Sequence, residues 1–204
     1  SYAEPIETIE TNVNGTMNVL EAVRFCSSVR AVVIVTSDKC YENREWERGY
    51  TENDSLGGYD PYSSSKACAE IVTSAWRRSF MEKAGVAVAS GRAGNVVGGG
   101  DWTLDRLVPD FLRTLDKKQT FLVRSPDAIR PWQYVIEPLC GYLMLAERLA
   151  THGAAYAEAW NFGPFDRDAR SVRWVVEHLV SACPGMKWKA DKKPQPHEAT
   201  FLKL

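Results

Sequence analysis

No apolar run in this 204-residue chain approaches the roughly 18 residues that cross a bilayer, so no membrane-spanning helix is expected. Neither sign of charge is in excess: 25 Lys and Arg stand against 26 Asp and Glu, a formal net charge of −1. That balance gives no electrostatic ground for nucleic acid or a membrane surface as partner. Cysteine is sparse and unpatterned. Cys26, Cys40, Cys68, Cys140 and Cys183 show no CxxC or CxC spacing, which argues against a disulfide frame or a zinc site and for reduced thiols. The opening residues Ser1-Tyr2-Ala3-Glu4-Pro5 lack the basic and apolar regions of a secretion signal, so a cytoplasmic protein is the expectation. There is no internal repeat and no low-complexity tract. What is present is 45% hydrophobic residues, the composition of an ordinary globular protein with chain enough for a real core.

The apolar residues fall into alternating helix and strand patterns. Ile6, Ile9, Val13, Met17, Leu20 and Val23 recur every three or four residues and predict a long helix ending near Cys26. Ala31 to Thr36 is short, β-branched and apolar on both faces, as a central parallel strand should be. It empties into Ser37-Asp38-Lys39-Cys40-Tyr41 and a long polar loop through Gly57-Gly58-Tyr59. Pro61 then opens a helix to about Phe80, with Ala67, Ile71, Ala75 and Trp76 as its apolar stripe. A buried strand follows at Val86 to Ser90. Such alternation predicts βαβ crossovers and an α/β fold with a doubly wound parallel sheet, whose ligands sit at the carboxyl ends of the strands. Beyond Gly98-Gly99-Gly100-Asp101-Trp102 the pattern is less regular. It predicts helices over 105–117, 137–150 and from a Ser171 cap to about Ala182, and strands over 120–124 and 159–162.

Within this frame, Tyr62 and Lys66 stand four residues apart on one face of a helix. Holding a phenol ionised at pH 7 takes a shift of about 3 units, or roughly 4 kcal/mol. A lysine about 4 Å away at an effective dielectric of about 20 supplies roughly that much. The pair is therefore able to act as a base, although the spacing alone is of low specificity. Two further groups converge on the same sheet edge: Ser37-Asp38-Lys39 after one strand and Arg92-Ala93-Gly94-Asn95 after the next.

Together, Asn12 to Leu20, Val35-Thr36-Ser37-Asp38, Tyr62-Ser63-Ser64-Ser65-Lys66 and Arg130-Pro131-Trp132-Gln133-Tyr134-Val135 resemble the extended short-chain dehydrogenase/reductase family, which acts on nucleotide sugars. Ser37 to Asn43, Gly57 to Tyr62 and Arg92 to Trp102 look like its branch of CDP-glucose 4,6-dehydratases. The resemblance covers nearly the whole chain and implies a Rossmann-like sheet. It places the C-terminal portion of the dinucleotide-binding domain in residues 1–100, and in 101–204 a mainly substrate-binding part with elements returning to the main sheet. One piece of the family pattern is missing. The family's opening strand, Gly-x-x-Gly-x-x-Gly turn and helix, which hold the NAD pyrophosphate, have no counterpart here, and 94–100 is not a substitute. The sequence therefore reads as an internal stretch of a longer enzyme.

The implied reaction is a dehydration without net redox: oxidation at C4 of the sugar by bound NAD, loss of the C5 proton and the C6 hydroxyl, and reduction at C6. By resemblance Tyr62 takes the 4-hydroxyl proton, Lys66 tunes it and bonds the nicotinamide ribose, and Ser37 holds the 4-oxygen. Asp38 is the acid, for which its pKa must be raised. Lys39 stands where better known relatives carry a glutamate, and is expected either to take the C5 proton, deprotonated by burial, or to stabilise the enolate. Asn95 and Arg130 are expected to hold the diphosphate of the nucleotide sugar, Arg130 through paired bonds, with Arg124 a weaker candidate. Trp102, Leu107 and Trp132 either wall the base pocket or belong to the core. His152, His178 and His197 match no catalytic pattern. A homodimer paired through the helices carrying Val19 and Val72 is implied by the family. The rival readings are a 4-epimerase of the same family, which needs Tyr62 and Lys66 but no proton pair at Asp38 and Lys39, and a non-catalytic binding or oligomerisation module.

Overall fold

The residues from Ala87 to Ala93 form the middle strand, β2, of a parallel sheet, and nearly all of them are buried because both faces are covered. In the computed structural model, which describes residues 1–193 and 198–204, β1 (Ala31–Val35) pairs with β2 from Ala31↔Ala87 to Val35↔Gly91. On the other side β7 (Ala159–Phe162) pairs from Ser90↔Ala159 to Ala93↔Phe162. Alternate residues of the sheet feed two cores. Val32, Ile34 and Val88 pack with Leu20, Met81, Val72 and Trp76, while Ala31, Val33, Ala87 and Ala89 pack with Leu145 and Leu149. Helices thus cover both faces, and the doubly wound α/β arrangement holds.

The first face is covered by α1 (Pro5–Ile9), continued through a π-helical turn into α2 (Gly15–Arg24), and by α3 (Pro61–Trp76). Asp60 caps α3: its Oδ1 accepts from the Tyr62 and Ser63 N–H groups at 2.9 and 3.1 Å, and Pro61 has no N–H to leave orphaned. A second π-helical turn, Arg77–Met81, leads to α4 (Glu82–Ala84), which stops at Gly85 with φ +71°. The other face is covered by α6 (Ile136–His152).

The remaining elements lie outside the main sheet, and most of them surround a separate core of Phe111, Phe121, Val123, Ala128, Val172, Val176 and Met186. They comprise β3 (Val96–Val97), α5 (Leu107–Asp116), β4 (Phe121–Val123), β5 (Ile129–Arg130), β6 (Gln133–Tyr134), β8 (Arg170–Ser171), α7 (Val172–Ser181) and β9 (Trp188–Ala190). β4 pairs with β9 and β3 with β6 in parallel, and β5 with β8 antiparallel. Pro109 is accommodated in the first turn of α5, where its missing N–H has no intrahelical partner.

Three expectations are corrected. β1 is not central but an edge of the three-stranded sheet among the described residues, and its last residue, Val35, is 50% exposed. Ile71 is 57% exposed, because α3 buries a face of small and polar residues, Ser63, Ser65, Ala67, Ala69, Glu70 and Thr73, against the strand ends. Val72 packs into the core rather than facing outward. His197 lies outside the described residues.

Candidate active site

The carboxyl ends of β1 and β2 open into a cleft of about 1250 Å³, lined by Ser37, Asp38, Lys39, Tyr62, Asn95 and Arg130. The chain leaves β1 through a single 3₁₀ turn, Asp38–Cys40, capped by Ser37, whose Oγ accepts the Lys39 N–H at 3.2 Å. The same hydroxyl donates to Asp38 Oδ1 at 2.9 Å. Asp38 is only 3% exposed, and its Oδ2 has no hydrogen-bond partner. Burial raises its pKa to about 6, opposed by the Ser37 hydrogen bond and by the charges of Lys39 and Arg130. Gly94 makes room for this carboxyl. A Cβ there would lie 2.9 Å from Asp38 Oδ2 and 2.4 Å from Pro131 Cγ, so no side chain fits without displacing one of them.

Tyr62 enters the cleft from the first turn of α3 and is half-buried. Here the electrostatics differ from the sequence expectation. Burial pushes the phenol above its usual value, and the groups opposing burial are the Ser37 hydroxyl and the charge of Arg106 rather than Lys66. Lys66 lies with its Nζ 5.8 Å from the Tyr62 ring centroid, and burial alone pulls its ammonium below the ordinary lysine range. Lys66 is thus a desolvated cation near the ring that is not among the groups lowering the phenol.

Asn95 follows β2, its carbonyl tied to the Gln133 N–H at 3.0 Å. Arg130 is 2% exposed, with its guanidinium on the Ile129 and Ala199 carbonyls at 2.8 and 2.7 Å and on Glu198 Oε1 at 2.9 Å. It lines the cleft but is already engaged, which spacing could not reveal, since Glu198 is 68 residues away. Arg124 reaches Asp105 at 3.3 Å at the rim. Leu107 and Trp132 both line the cleft and pack on the C-terminal core, and Trp102, 66% exposed, also lines the cleft. His152 contacts Thr151 and Tyr156, and His178 stacks on Trp174, so both are occupied away from the cleft.

Sequence reasoning missed several residues. Arg106, the N-cap residue of α5, acts on Tyr62, and Tyr142 of α6 lines the cleft with its phenol pushed up to about 12 by burial and by Asp38. Behind the cleft, Glu70 and Arg92 form a buried ion pair at 2.7 Å. The visible signal was a glutamate one turn after Lys66, with an arginine at the carboxyl end of an otherwise apolar strand.

A Rossmann-like sheet with a serine, a buried carboxyl, a tyrosine and a lysine at the carboxyl ends of its strands defines the class: a nucleotide-dependent α/β protein of the short-chain dehydrogenase/reductase type. The model of the NAD dependent epimerase/dehydratase family matches residues 1–163, and the chain belongs to that family. The CDP-glucose 4,6-dehydratase of Salmonella typhimurium is 53% identical over 210 residues, covering 100% of this chain and 58% of that protein. The chain therefore spans little more than half the length of that relative. The structure of dTDP-glucose 4,6-dehydratase from Streptomyces venezuelae with NAD bound shares the fold at a TM-score of 0.79 and 24% identity, over 100% of this chain and 60% of that one. The UDP-glucose 4-epimerase of Thermus thermophilus with NAD does so at 0.77 and 22%, over 99% and 63%.

Proposed function

We propose that this chain carries the catalytic site of a nucleotide-sugar 4,6-dehydratase that converts CDP-glucose to CDP-4-keto-6-deoxyglucose, a step of deoxysugar formation. The observation that carries the reading is Asp38: a buried carboxyl near pKa 6 with one oxygen free, beside Ser37 and facing the cleft. A dehydratase needs a group that is protonated part of the time near neutrality to release the 6-hydroxyl as water. A 4-epimerase has no such step. The 53% identity to the Salmonella CDP-glucose enzyme supports the choice of nucleotide.

NAD, when bound, supplies the hydride acceptor and donor that make the reaction redox-neutral. The residues present fit its nicotinamide-ribose end: Lys66 is a half-buried cation on which no carboxylate acts, one turn beyond Tyr62. Among the described residues they do not include a pyrophosphate cradle, since Gly98, Gly99 and Gly100 follow the two-residue β3 and the next helix begins only at Leu107.

On this reading Tyr62 takes the 4-hydroxyl proton as a phenolate, a state that needs more opposition to burial than Ser37 and Arg106 alone supply, and Ser37 holds the 4-oxygen. Asp38 delivers its proton to the 6-hydroxyl, and is reset from solvent afterwards. Lys39, whose charge already acts on Asp38 and Asp60, serves the C5 position as base or as the cation that stabilises the enolate. Asn95 and Arg130 face the diphosphate, with Arg130 exchanging Glu198 for phosphate oxygens. Residues 1–100 with α6 and β7 form the cofactor-binding part, and the remainder of 101–204 the substrate-binding part.

The exposed apolar residues Ile6, Val19 and Ile71 on α1, α2 and α3 suit pairing with a second copy, which sedimentation would show as a dimer. Five free cysteines support a cytoplasmic, reducing setting. Among the described residues no helix is long and apolar enough to cross a membrane.

Incubation with CDP-glucose and NAD, followed by NMR of the sugar, tests the reading. A 4-keto-6-deoxy product is expected, and Tyr62→Phe should slow its formation by about 10²–10⁴-fold. A C4 epimer would make the protein an epimerase, and binding without turnover would make it a binding module. Loss of turnover in Lys39→Met with C5 hydrogen exchange at the parental rate would remove Lys39 as the base.

A further inference from the structure

The Glu70 carboxylate is 3% exposed and carries a full set of partners drawn from separate strands. Its Oε2 accepts from Arg92 at 2.7 Å and from the Ser90 hydroxyl at 2.6 Å, both on β2. Its Oε1 accepts a short hydrogen bond from the Thr36 hydroxyl, at the end of β1. Arg92 passes the connection on, donating at 2.8 Å to the Tyr41 hydroxyl, which donates in turn at 2.7 Å to Asn161 Oδ1 on β7. One side chain of α3 is thus fastened to two strands directly and to the third through Arg92 and Tyr41.

The position of that fastening matters. Thr36 immediately precedes Ser37 and Asp38, and its N–H continues the β1–β2 pairing by donating to the Gly91 carbonyl at 2.9 Å. Glu70 follows Lys66 by four residues and Tyr62 by eight, about 6 and 12 Å along the helix axis. Two strand ends and one helix supply the groups around the cleft, and this carboxylate is where all three meet. A helix held to a sheet only by apolar contacts can slide by fractions of an ångström. A carboxylate bonded to three donors of fixed geometry allows far less movement.

We propose that Glu70 is a positioning residue of the site, fixing the α3 groups Tyr62 and Lys66 against the β1-end groups Ser37 and Asp38 through its bonds to Thr36, Ser90 and Arg92. The inference rests on the dehydratase reading for what the positioned groups do, and on geometry alone for the positioning. Glu70 is not among the residues lining the cleft. Its alternative role is that of a buried ion pair which contributes to folding and leaves the cleft unaffected.

Asp38 provides a readout that separates the two, because its high pKa arises from burial at the end of β1 and the charges acting on it are those of Lys39 and Arg130. Loosening the end of β1 admits water and returns Asp38 toward the ordinary carboxylate value. The experiment is NMR of protein labelled with ¹³C at aspartate carboxyls, the Asp38 signal assigned by its loss in Asp38→Asn. Thr36→Val removes one hydroxyl from the clamp and leaves the ion pair intact. It should lower the Asp38 midpoint by about one pH unit, while Thr36→Ser keeps the parental value. Glu70→Gln combined with Arg92→Met, which removes both charges together, should lower it at least as far. In the dehydratase assay both variants should show kcat reduced on the order of tenfold or more with KM nearly unchanged. A parental Asp38 midpoint in folded Thr36→Val overturns the proposal, whether or not the double variant folds. If the parent protein makes no dehydrated product, the functional reading fails and the Asp38 titration still decides the role of Glu70.

Discussion

Two buried carboxylates serve the strand ends, one lining the cleft and one behind it, and their surroundings are opposite. Asp38 and Glu70 are each 3% exposed. Glu70 has both oxygens bonded and a guanidinium at 2.7 Å, whereas Asp38 has one oxygen on Ser37 and the other on nothing. Burial of a charge without compensation is paid for by protonation, and Asp38 accordingly titrates near 6. The contrast teaches how to tell a structural carboxylate from a reactive one in this fold. The saturated group builds the frame, and the under-satisfied group beside the cleft is available for a substrate hydroxyl.

The most damaging way to break the contrast is to unbalance the saturated site. Glu70→Leu leaves Arg92 buried without its counter-ion, and removal of one member of a buried pair costs about 3–5 kcal/mol. Urea unfolding should show stability lowered by that amount. Adding Arg92→Met should recover most of the loss, since the remaining cavity is apolar and no charge is stranded. Failure of the second change to restore stability would mean that the hydroxyls of Thr36 and Ser90 depend on the carboxylate more than the guanidinium does.

Asp38→Asn acts in the opposite direction. The folded-state pKa of about 6 lies above the unfolded value near 3.9, so the folded protein binds the extra proton between those limits and loses stability as pH rises through them. The asparagine variant avoids that loss. It should be more stable than the parent by up to about 3 kcal/mol at pH 7–8, with the difference vanishing below about pH 4. Unfolding curves at three pH values check this, and a variant that is less stable at every pH would show that the free oxygen is satisfied in solution by ordered water. The same variant should lose dehydratase turnover, the expected mark of a group retained for chemistry at the expense of stability.

Much of this architecture was legible in the residues. The 3.6-residue period located the helices and short, fully apolar runs the three main strands to within a few residues, and 159–162 fell on β7 without error. The grouping of Ser37, Asp38, Lys39, Tyr62 and Asn95 also followed, because strand ends and a helix start are local features that parallel topology brings together. What could not be read was side-chain pairing across the chain. Nothing near Arg130 in sequence announces Glu198, and nothing near Glu70 announces Thr36, because these contacts depend on the lateral placement of elements and carry no period. Ile71 misled for a related reason: beside Ala67, Val72 and Trp76, α3 turns Ser65, Glu70 and Thr73 inward to meet the strand ends, and these polar residues take the room the apolar stripe assigned to Ile71. The spacing of Tyr62 and Lys66 also left out desolvation: burial dominates the Tyr62 phenol, and the groups opposing it are Ser37 and Arg106.

A third carboxylate sharpens the comparison at smaller scale. Asp60 lies only two residues before Tyr62, and burial raises its pKa, but the Ser63 hydroxyl and N–H, the Lys39 charge and the Tyr62 N–H more than reverse this and hold it below the usual range. Its linkage is therefore opposite in sign to that of Asp38: the stability it provides is complete above about pH 4 and is lost as pH falls through the depressed folded value. Removing the cap with Asp60→Ala should cost about 1 kcal/mol at neutral pH. Asp60→Asn, which keeps an acceptor for the N–H groups, should cost less and should flatten the acid limb of the stability curve. Because the cap sets the first turn of α3, and Tyr62 is in that turn, the alanine variant should also weaken turnover by several-fold with Glu70 still in place. A variant that lost stability with full turnover would mean that the clamp at Glu70 alone suffices to place Tyr62, dividing the work between the two ends of the same helix.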